Sequence, residues 1–321
     1  MPFGDEIIID PAFRETLRSI GLCDVAAALE RTDGVVIAWS RTTATLHFPG
    51  AGTQPGFFVK RYLYPFWKHR FRSLLRGTFL GRHRAQVESG LLTAMRLRGV
   101  PAVRPVACGA RRRGHFVTAS ILITEETPGA CNLTCFACDL KDGRRQLAPR
   151  ERQAAARKLA REVAILHDSG FAHGQLFWRN ILVRSNPAEG HDFFFLDPRP
   201  LRTKQYTYRG ARMTRDELAQ LMVSSMAFTT RSERLRFLRN YLGEKRLTPG
   251  GKALAREVAL LHSRWLRHEQ QRIRMSRVFD TWRRLLMEEQ PINGSAPNSK
   301  MTRGANPPDR SGERVPSGGR R

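Results

Sequence analysis

The sequence predicts an α+β protein of two lobes, a small antiparallel β-sheet followed by a mainly helical half. Three observations carry that expectation. Three short β-prone runs, separated by turn-forming residues, lie between residues 34 and 60. A helical stretch and two further β-prone runs follow, to about residue 123. Beyond Glu125-Glu126-Thr127-Pro128-Gly129 the apolar residues take helical spacing.

The elements read in order as follows. Residues 11–31 form an amphipathic helical stretch with Phe13, Leu17 and Ile20 on one face, a break at Gly21, then Val25 and Leu29. The three runs Gly34–Trp39, Ala44–Phe48 and Gly56–Lys60 make a three-stranded meander. The stretch 61–84 then carries seven basic residues (Arg61, Lys68, Arg70, Arg72, Arg76, Arg82, Arg84), no acid, and six aromatics (Tyr62, Tyr64, Phe66, Trp67, Phe71, Phe79). That mixture predicts a surface for a flat, anionic partner, a membrane in preference to nucleic acid, since no nucleic-acid-binding signature accompanies it. A helix carrying Glu88 runs to about Arg98 and ends at Gly99-Val-Pro101, and Val103–Gly109 and Val117–Ile123 are strands. In the second half Ala156, Leu159, Val163 and Leu166 line one face of a helix over 150–168, closed by Ser169-Gly170. Helices over about 214–228, 231–242 and 252–288 complete it. From Gln290 the chain has no aromatics and is rich in Pro, Gly, Ser and Arg, which predicts a disordered basic tail.

A chain of 321 residues that is 41 % hydrophobic can bury a substantial core. Its formal charge of +26, from 55 basic and 29 acidic residues, predicts attraction to polyanions without saying which. No apolar run is long enough to span a membrane, and the acidic start MPFGDEIIID is unlike a signal peptide, so a cytoplasmic protein is expected. Five cysteines argue against a disulfide framework. Cys131, Cys135 and Cys138 fall at i, i+4 and i+7, a spacing that reads as a helix face turned to the core, with no fourth ligand at zinc spacing.

The segment His173-Gly-Gln175-Leu-Phe-Trp-Arg-Asn180 carries the strongest chemical signal, followed after an apolar run by Phe195-Leu-Asp197-Pro-Arg199. Asn180 and Asp197 are oxygen donors of the kind a hard divalent cation takes. Upstream, Lys60 closes the third β-run and Glu88 follows it by 28 positions. Taken singly each has a plain reading: Lys60 a solvated strand-end lysine, Glu88 a helix-surface acid, His173 a packing residue. Their order is what raises them.

In that order they resemble the kinase fold, where a His-x-Asp-x-x-x-x-Asn loop precedes a metal-binding Asp. Within the fold the chain resembles the bacterial lipopolysaccharide kinases that phosphorylate Kdo or heptose sugars. Lys60-Arg-Tyr62 with the segment after it, Gly99–Gly109, and Asp216–Leu221 leading into Ser232–Tyr241 carry the likeness, which spans about residues 34–288. The resemblance implies an ATP- and Mg²⁺-dependent phosphotransferase with an alcohol-group acceptor, a lipid-linked sugar, working peripherally at the inner face of the membrane. It implies that Lys60 holds the α/β-phosphates, Glu88 pairs with Lys60, Asn180 and Asp197 bind Mg²⁺, and the 124–127 backbone, with Glu125 and Glu126, receives adenine. The implied divisions are an N-terminal extension over 1–33, an N-lobe over 34–127, a C-lobe over 128–289 and the tail over 290–321.

Two departures accompany it. Ser40-Arg-Thr-Thr-Ala44 stands where a Gly-rich phosphate loop belongs, and Gln175 occupies the position of the catalytic Asp, where an amide cannot take a proton as a carboxylate does. A pseudokinase that binds nucleotide or a partner is therefore the alternative, and a protein or antibiotic kinase would differ only in its acceptor.

Overall fold

A computed structural model describes residues 5–40, 42–64, 82–113, 116–186, 188, 190–199 and 211–288, with the backbone alone for 273–288. The chain divides into two units, Met1–Phe279 and Asp280–Arg321, and every side chain discussed belongs to the first. The expected disordered tail and most of the basic, aromatic stretch (residues 65–81) lie outside the described residues.

The N-terminal half is a six-stranded antiparallel sheet in the order β1-β5-β6-β4-β3-β2, from β1 (Asp5–Ile9), β2 (Val35–Ser40), β3 (Thr43–Phe48), β4 (Phe57–Leu63), β5 (Pro105–Arg113) and β6 (Phe116–Glu125). The expected five strands are all there. The sixth, β1, pairs Ile7 with Gly109 at the far edge. It comes from the stretch read as an extension, and so do α1 (Arg14–Ser19) and α2 (Val25–Glu30), which lie either side of the expected break at Gly21. Asp24 explains the second start, its carboxylate capping α2 by accepting from the Ala27 N–H at 2.7 Å.

These helices cover one face of the sheet. Leu17, Leu22, Val25 and Ala28 bury with Leu46, Phe57, Val59, Ile121 and Ile123, and each fully buried Leu, Ile or Phe there stabilises by about 1.5–3 kcal/mol. Arg61 belongs to this layer: it donates through Nε to the Ala28 carbonyl at 2.8 Å and through Nη2 to that of Arg31, satisfying the end of α2. Arg61 and Tyr62 are both buried. They are therefore not part of a membrane-facing surface, because the alternation along β4 turns one to α2 and the other to the opposite face.

On that opposite face α3 (Arg84–Leu97) packs through Ala85, Leu92 and Met95. The C-terminal half holds a three-stranded sheet, β7 (Ala130–Asn132), β8 (Ile181–Asn186) and β9 (Gly190–Phe195), with α4 (Leu133–Lys141), α5 (Pro149–Asp168), α6 (Arg212–Ser225), α7 (Arg231–Leu242) and α8 (Pro249–Glu288). Its core joins Leu159, Val163, Leu166, Leu176, Phe195, Leu218 and Tyr241. The halves are fastened where β9 ends: Val103 N–H donates to the Phe195 carbonyl at 3.0 Å and Phe195 N–H to that of Pro101 at 2.9 Å. The three cysteines do not share a helix face. Cys131 sits on β7 and Cys135, on α4, is exposed. Asn132 breaks the run by capping α4, accepting from Cys135 N–H at 2.8 Å.

Among the described residues no helix is long and apolar enough to cross a membrane. In the C-terminal half α4, α5, α6, α7 and the start of α8 line an open pocket of about 740 Å³, walled by Leu133, Phe136, Leu159, Trp178, Leu221 and Phe237.

Candidate active site

Lys60 sits on an inner strand, paired with Thr45 on β3 and Leu122 on β6, so its backbone is fixed from both sides. Its Nζ lies 2.9 Å from Glu88 Oε1 and 2.7 Å from Asp197 Oδ1. The structure thus brings together three residues 28 and 137 positions apart. Glu88, buried on α3, also accepts from the Tyr62 hydroxyl, and the Tyr62 ring carries the Arg84 guanidinium at 4.6 Å. Burial raises the Glu88 pKa against the opposing pull of Lys60. Burial also pushes the Asp197 carboxyl up, but Lys60, helped by Arg84 and Arg199, outweighs it and holds Asp197 below the usual carboxylate range.

Among the described residues Asp197 is the single non-glycine with a positive φ, 57°. A left-handed L-residue costs about 1–2 kcal/mol, and the Lys60 ion pair is one of the contacts that hold it there.

The loop from His173 to Asn180 is held from within. Asn180 Nδ2 donates to the Gln175 carbonyl at 2.9 Å, which leaves Oδ1 as the atom Asn180 can offer a cation. Leu196 N–H donates to the Asn180 carbonyl at 3.1 Å and Arg199 N–H to that of His173 at 2.8 Å, joining the loop to the Asp197 segment. His173 is fully buried against Phe195, and burial lowers the pKa of its ring. Gln175 lies on the same loop, 7 % exposed.

Sequence reasoning missed what holds this loop from below. Glu217, Gln220 and Ser224 on α6 stand at i, i+3 and i+7 and accept from three loop N–H groups: Gly174, Leu176 at 2.6 Å and Trp178 at 3.2 Å. Glu217 is itself held by His167 Nε2 at 2.9 Å, and His167 Nδ1 meets the Tyr241 hydroxyl at 2.8 Å. The signal available was Glu217 and Gln220 set among the apolar Leu218, Ala219 and Leu221 that the helix buries. From α8, Trp265 donates to Asp216 at 2.9 Å and Glu269 pairs with Arg179 at 2.6 Å. Burial brings the Arg179 pKa down to about 10 despite Glu269.

At the hinge the backbone N–H groups of Glu125 and Glu126 both have partners. Glu125 N–H donates to the Arg104 carbonyl at 2.9 Å and Glu126 N–H to that of Gly56 at 2.8 Å, so neither backbone donor is available to adenine. The Glu126 carboxylate instead lies 3.0 Å from His47 Nε2.

His83 starts the Glu88 helix: its Nδ1 accepts from Gln86 N–H at 3.2 Å, which only an unprotonated Nδ1 can do. Burial, with Arg112 nearby, lowers its pKa from 6.5 to about 4. The stability it contributes is full above pH 6.5 and is lost as pH falls through about 4. His83→Asn, a cap that does not titrate, should make the fall in melting temperature across that window shallower. An unaltered profile would contradict the cap.

Comparison with known proteins follows the same lines. The family model described as lipopolysaccharide kinase (Kdo/WaaP) family matches residues 27–241. A solved structure described as WaaP in complex with acyl carrier protein matches with a TM-score of 0.56 at 22 % identity, covering 83 % of this chain and 98 % of that one. At that identity the likeness shows a shared fold. No curated protein matches this chain.

Proposed function

Because this chain belongs to the lipopolysaccharide kinase (Kdo/WaaP) family, we propose that it transfers the γ-phosphate of ATP to a hydroxyl of a Kdo or heptose sugar on a lipid-linked core. The observation that carries this reading is the Lys60 ammonium set between Glu88 and Asp197. A lysine so held is positioned for the α/β-phosphates, with Glu88 fixing its direction. Asp197 follows Leu196, whose N–H donates to the Asn180 carbonyl, and the hard oxygen donors of Asp197 and Asn180 suit Mg²⁺, which takes one or two protein ligands together with substrate phosphates. Bound there, the cation would neutralise charge on the transferring phosphoryl group.

Gln175 would orient the acceptor hydroxyl through its amide oxygen. The transition state is loose and depends mainly on positioning and charge, so a base is not essential. The pseudokinase reading draws on Gln175 and on the direct Lys60–Asp197 ion pair, which engages an oxygen that a cation would need. Transfer of labelled phosphate from ATP to Kdo- or heptose-containing lipid separates the two. Wild type should be active, and Gln175→Ala should lower the rate constant by about 10- to 100-fold with little change in ATP affinity. ATP binding without transfer to any acceptor would favour the pseudokinase.

A lipid-linked acceptor lies at a membrane surface, and a charge of +26 suits an anionic one. We also extend to this chain the partner of its solved relative, an acyl carrier protein. The 740 Å³ apolar pocket, with Lys141, Arg152, Arg231 and Arg234 among its lining, supports a hydrocarbon chain brought by an acidic carrier. The acylated carrier should co-elute with this protein and the unacylated form should not. Separate elution of both would remove that partner.

A further inference from the structure

We propose that Glu269 and Trp265 of α8 are positioning residues for phosphoryl transfer, holding the Asn180 end of the His173–Asn180 loop, an inference that rests on the kinase reading above. The apolar stripe of α8 runs through Leu254, Val258, Leu261 and Trp265, three or four residues apart, and packs against the core that holds Leu176 and Phe195. Continued at the same spacing, the stripe reaches Glu269 and Arg272. It turns from apolar to charged where the helix meets the loop.

There Glu269 Oε1 accepts from Arg179 Nη1 at 2.6 Å. Arg272, one turn on, donates to the same carboxylate, through Nη2 to Oε1 at 2.8 Å and through Nε to Oε2 at 3.1 Å, and so fixes its direction. The Arg179 guanidinium lies 4.2 Å over the Phe177 ring, and that ring meets Trp265 edge to face with centroids 6.0 Å apart. Trp265 Nε1 donates in turn to Asp216 on α6, at 2.9 Å, next to the Glu217 that accepts from Gly174. Two side chains of the loop are thus gripped by two residues of α8 that stand one turn apart.

What the grip fixes is the turn that ends the loop. Trp178–Asn180 is a single 3₁₀ turn with Arg179 at its middle, closed by Asn180 N–H donating to the Phe177 carbonyl at 2.8 Å. So short a helix has little stability of its own. The bonds from α6 serve the N–H groups of Gly174, Leu176 and Trp178 and stop there, one residue short of Arg179. The contacts from α8 take up where they end, beside the residue assigned to the cation. The Arg179 side chain is only 22 % exposed, and a guanidinium so far from water depends on its carboxylate. The Asn180 end of the loop and α8 therefore keep or lose their order together.

Hydrogen–deuterium exchange over residues 173–180 of the unliganded protein, beside steady-state transfer from ATP to a Kdo- or heptose-containing lipid, tests the assignment. Glu269→Ala should speed exchange over the loop and lower kcat about tenfold or more with the KM for ATP unchanged, since a displaced positioning group costs rate and not nucleotide affinity. Glu269→Gln keeps an acceptor for Arg179 and should lose less, and Trp265→Phe, which keeps a ring against Phe177 without the N–H, should lower kcat in the same sense by a smaller factor. Glu269→Ala combined with Arg179→Ala should lose no more than the worse of the two single variants, because each acts through the other. Melting curves confirm folding; should the alanine variant not fold, Glu269→Gln and Trp265→Phe decide. Unchanged kcat in the folded variants would overturn the proposal whatever the exchange shows, as would a loss confined to the KM for ATP. A wild type that transfers phosphate to no acceptor would bring down the kinase reading and this inference with it, whereas unchanged variants of an active wild type bring down the inference alone.

Discussion

Asp197→Ala should abolish measurable phosphoryl transfer, a loss of about 10³-fold or more, while the protein still folds. The carboxylate is ion-paired with Lys60, and its loss removes both a cation ligand and a charge that orders the lysine. Folding should survive because Lys60 keeps Glu88 at 2.9 Å, so no buried cation is left alone. Lys60→Met should act on the other side of the same pair. Glu88, whose pKa burial already raises, would become neutral once its cation is gone, so the variant should fold yet bind ATP far more weakly. Calorimetric titration of ATP with and without Mg²⁺, beside turnover, checks both. Unchanged affinity in both variants would remove the nucleotide site from Lys60 and Asp197.

Glu217→Ala should have the largest effect on stability, about 3–5 kcal/mol, or a fall in melting temperature of about 6–20 °C. Glu217 is 2 % exposed and serves two clients at once, the Gly174 N–H through one oxygen and His167 through the other. Alanine leaves both without a partner inside the core, and a stranded buried donor costs more than the bond it lost. Glu217→Gln should recover part of the loss, since its carbonyl can still accept from Gly174, while its amide can donate to His167 Nε2 once the ring proton moves to Nδ1 and is donated to the Tyr241 hydroxyl. Thermal denaturation of the two variants decides. Equal destabilisation by alanine and glutamine would mean that the charge, not the pair of hydrogen bonds, holds the loop.

What could be read in the sequence was what is encoded locally or in order. The strands of the meander alternate, α5 carries its apolar stripe, and Lys60, Glu88, Asn180 and Asp197 occur in kinase order with distinctive spacing. What escaped depends on partners distant in the chain. Ile7-Ile8-Ile9 is a β-branched run, yet nothing near it says that its neighbour is Gly109. Gly109 can sit there because a Cβ would meet the Glu6 carbonyl at 2.7 Å. Arg61 looked like surface because arginine usually is; it is buried because two carbonyls at the end of α2 need donors. The hinge N–H groups could not be assigned from sequence, because their acceptors, Arg104 and Gly56, come from two different segments.

The most direct measurement is mass-spectrometric detection of phosphate on a Kdo- or heptose-containing lipid after incubation with purified protein, ATP and Mg²⁺. The expected result is one added phosphate per acceptor, dependent on the metal, slower in Gln175→Ala and absent in Asp197→Ala. Acceptors unmodified by wild type, in the presence of demonstrated ATP binding, would contradict it.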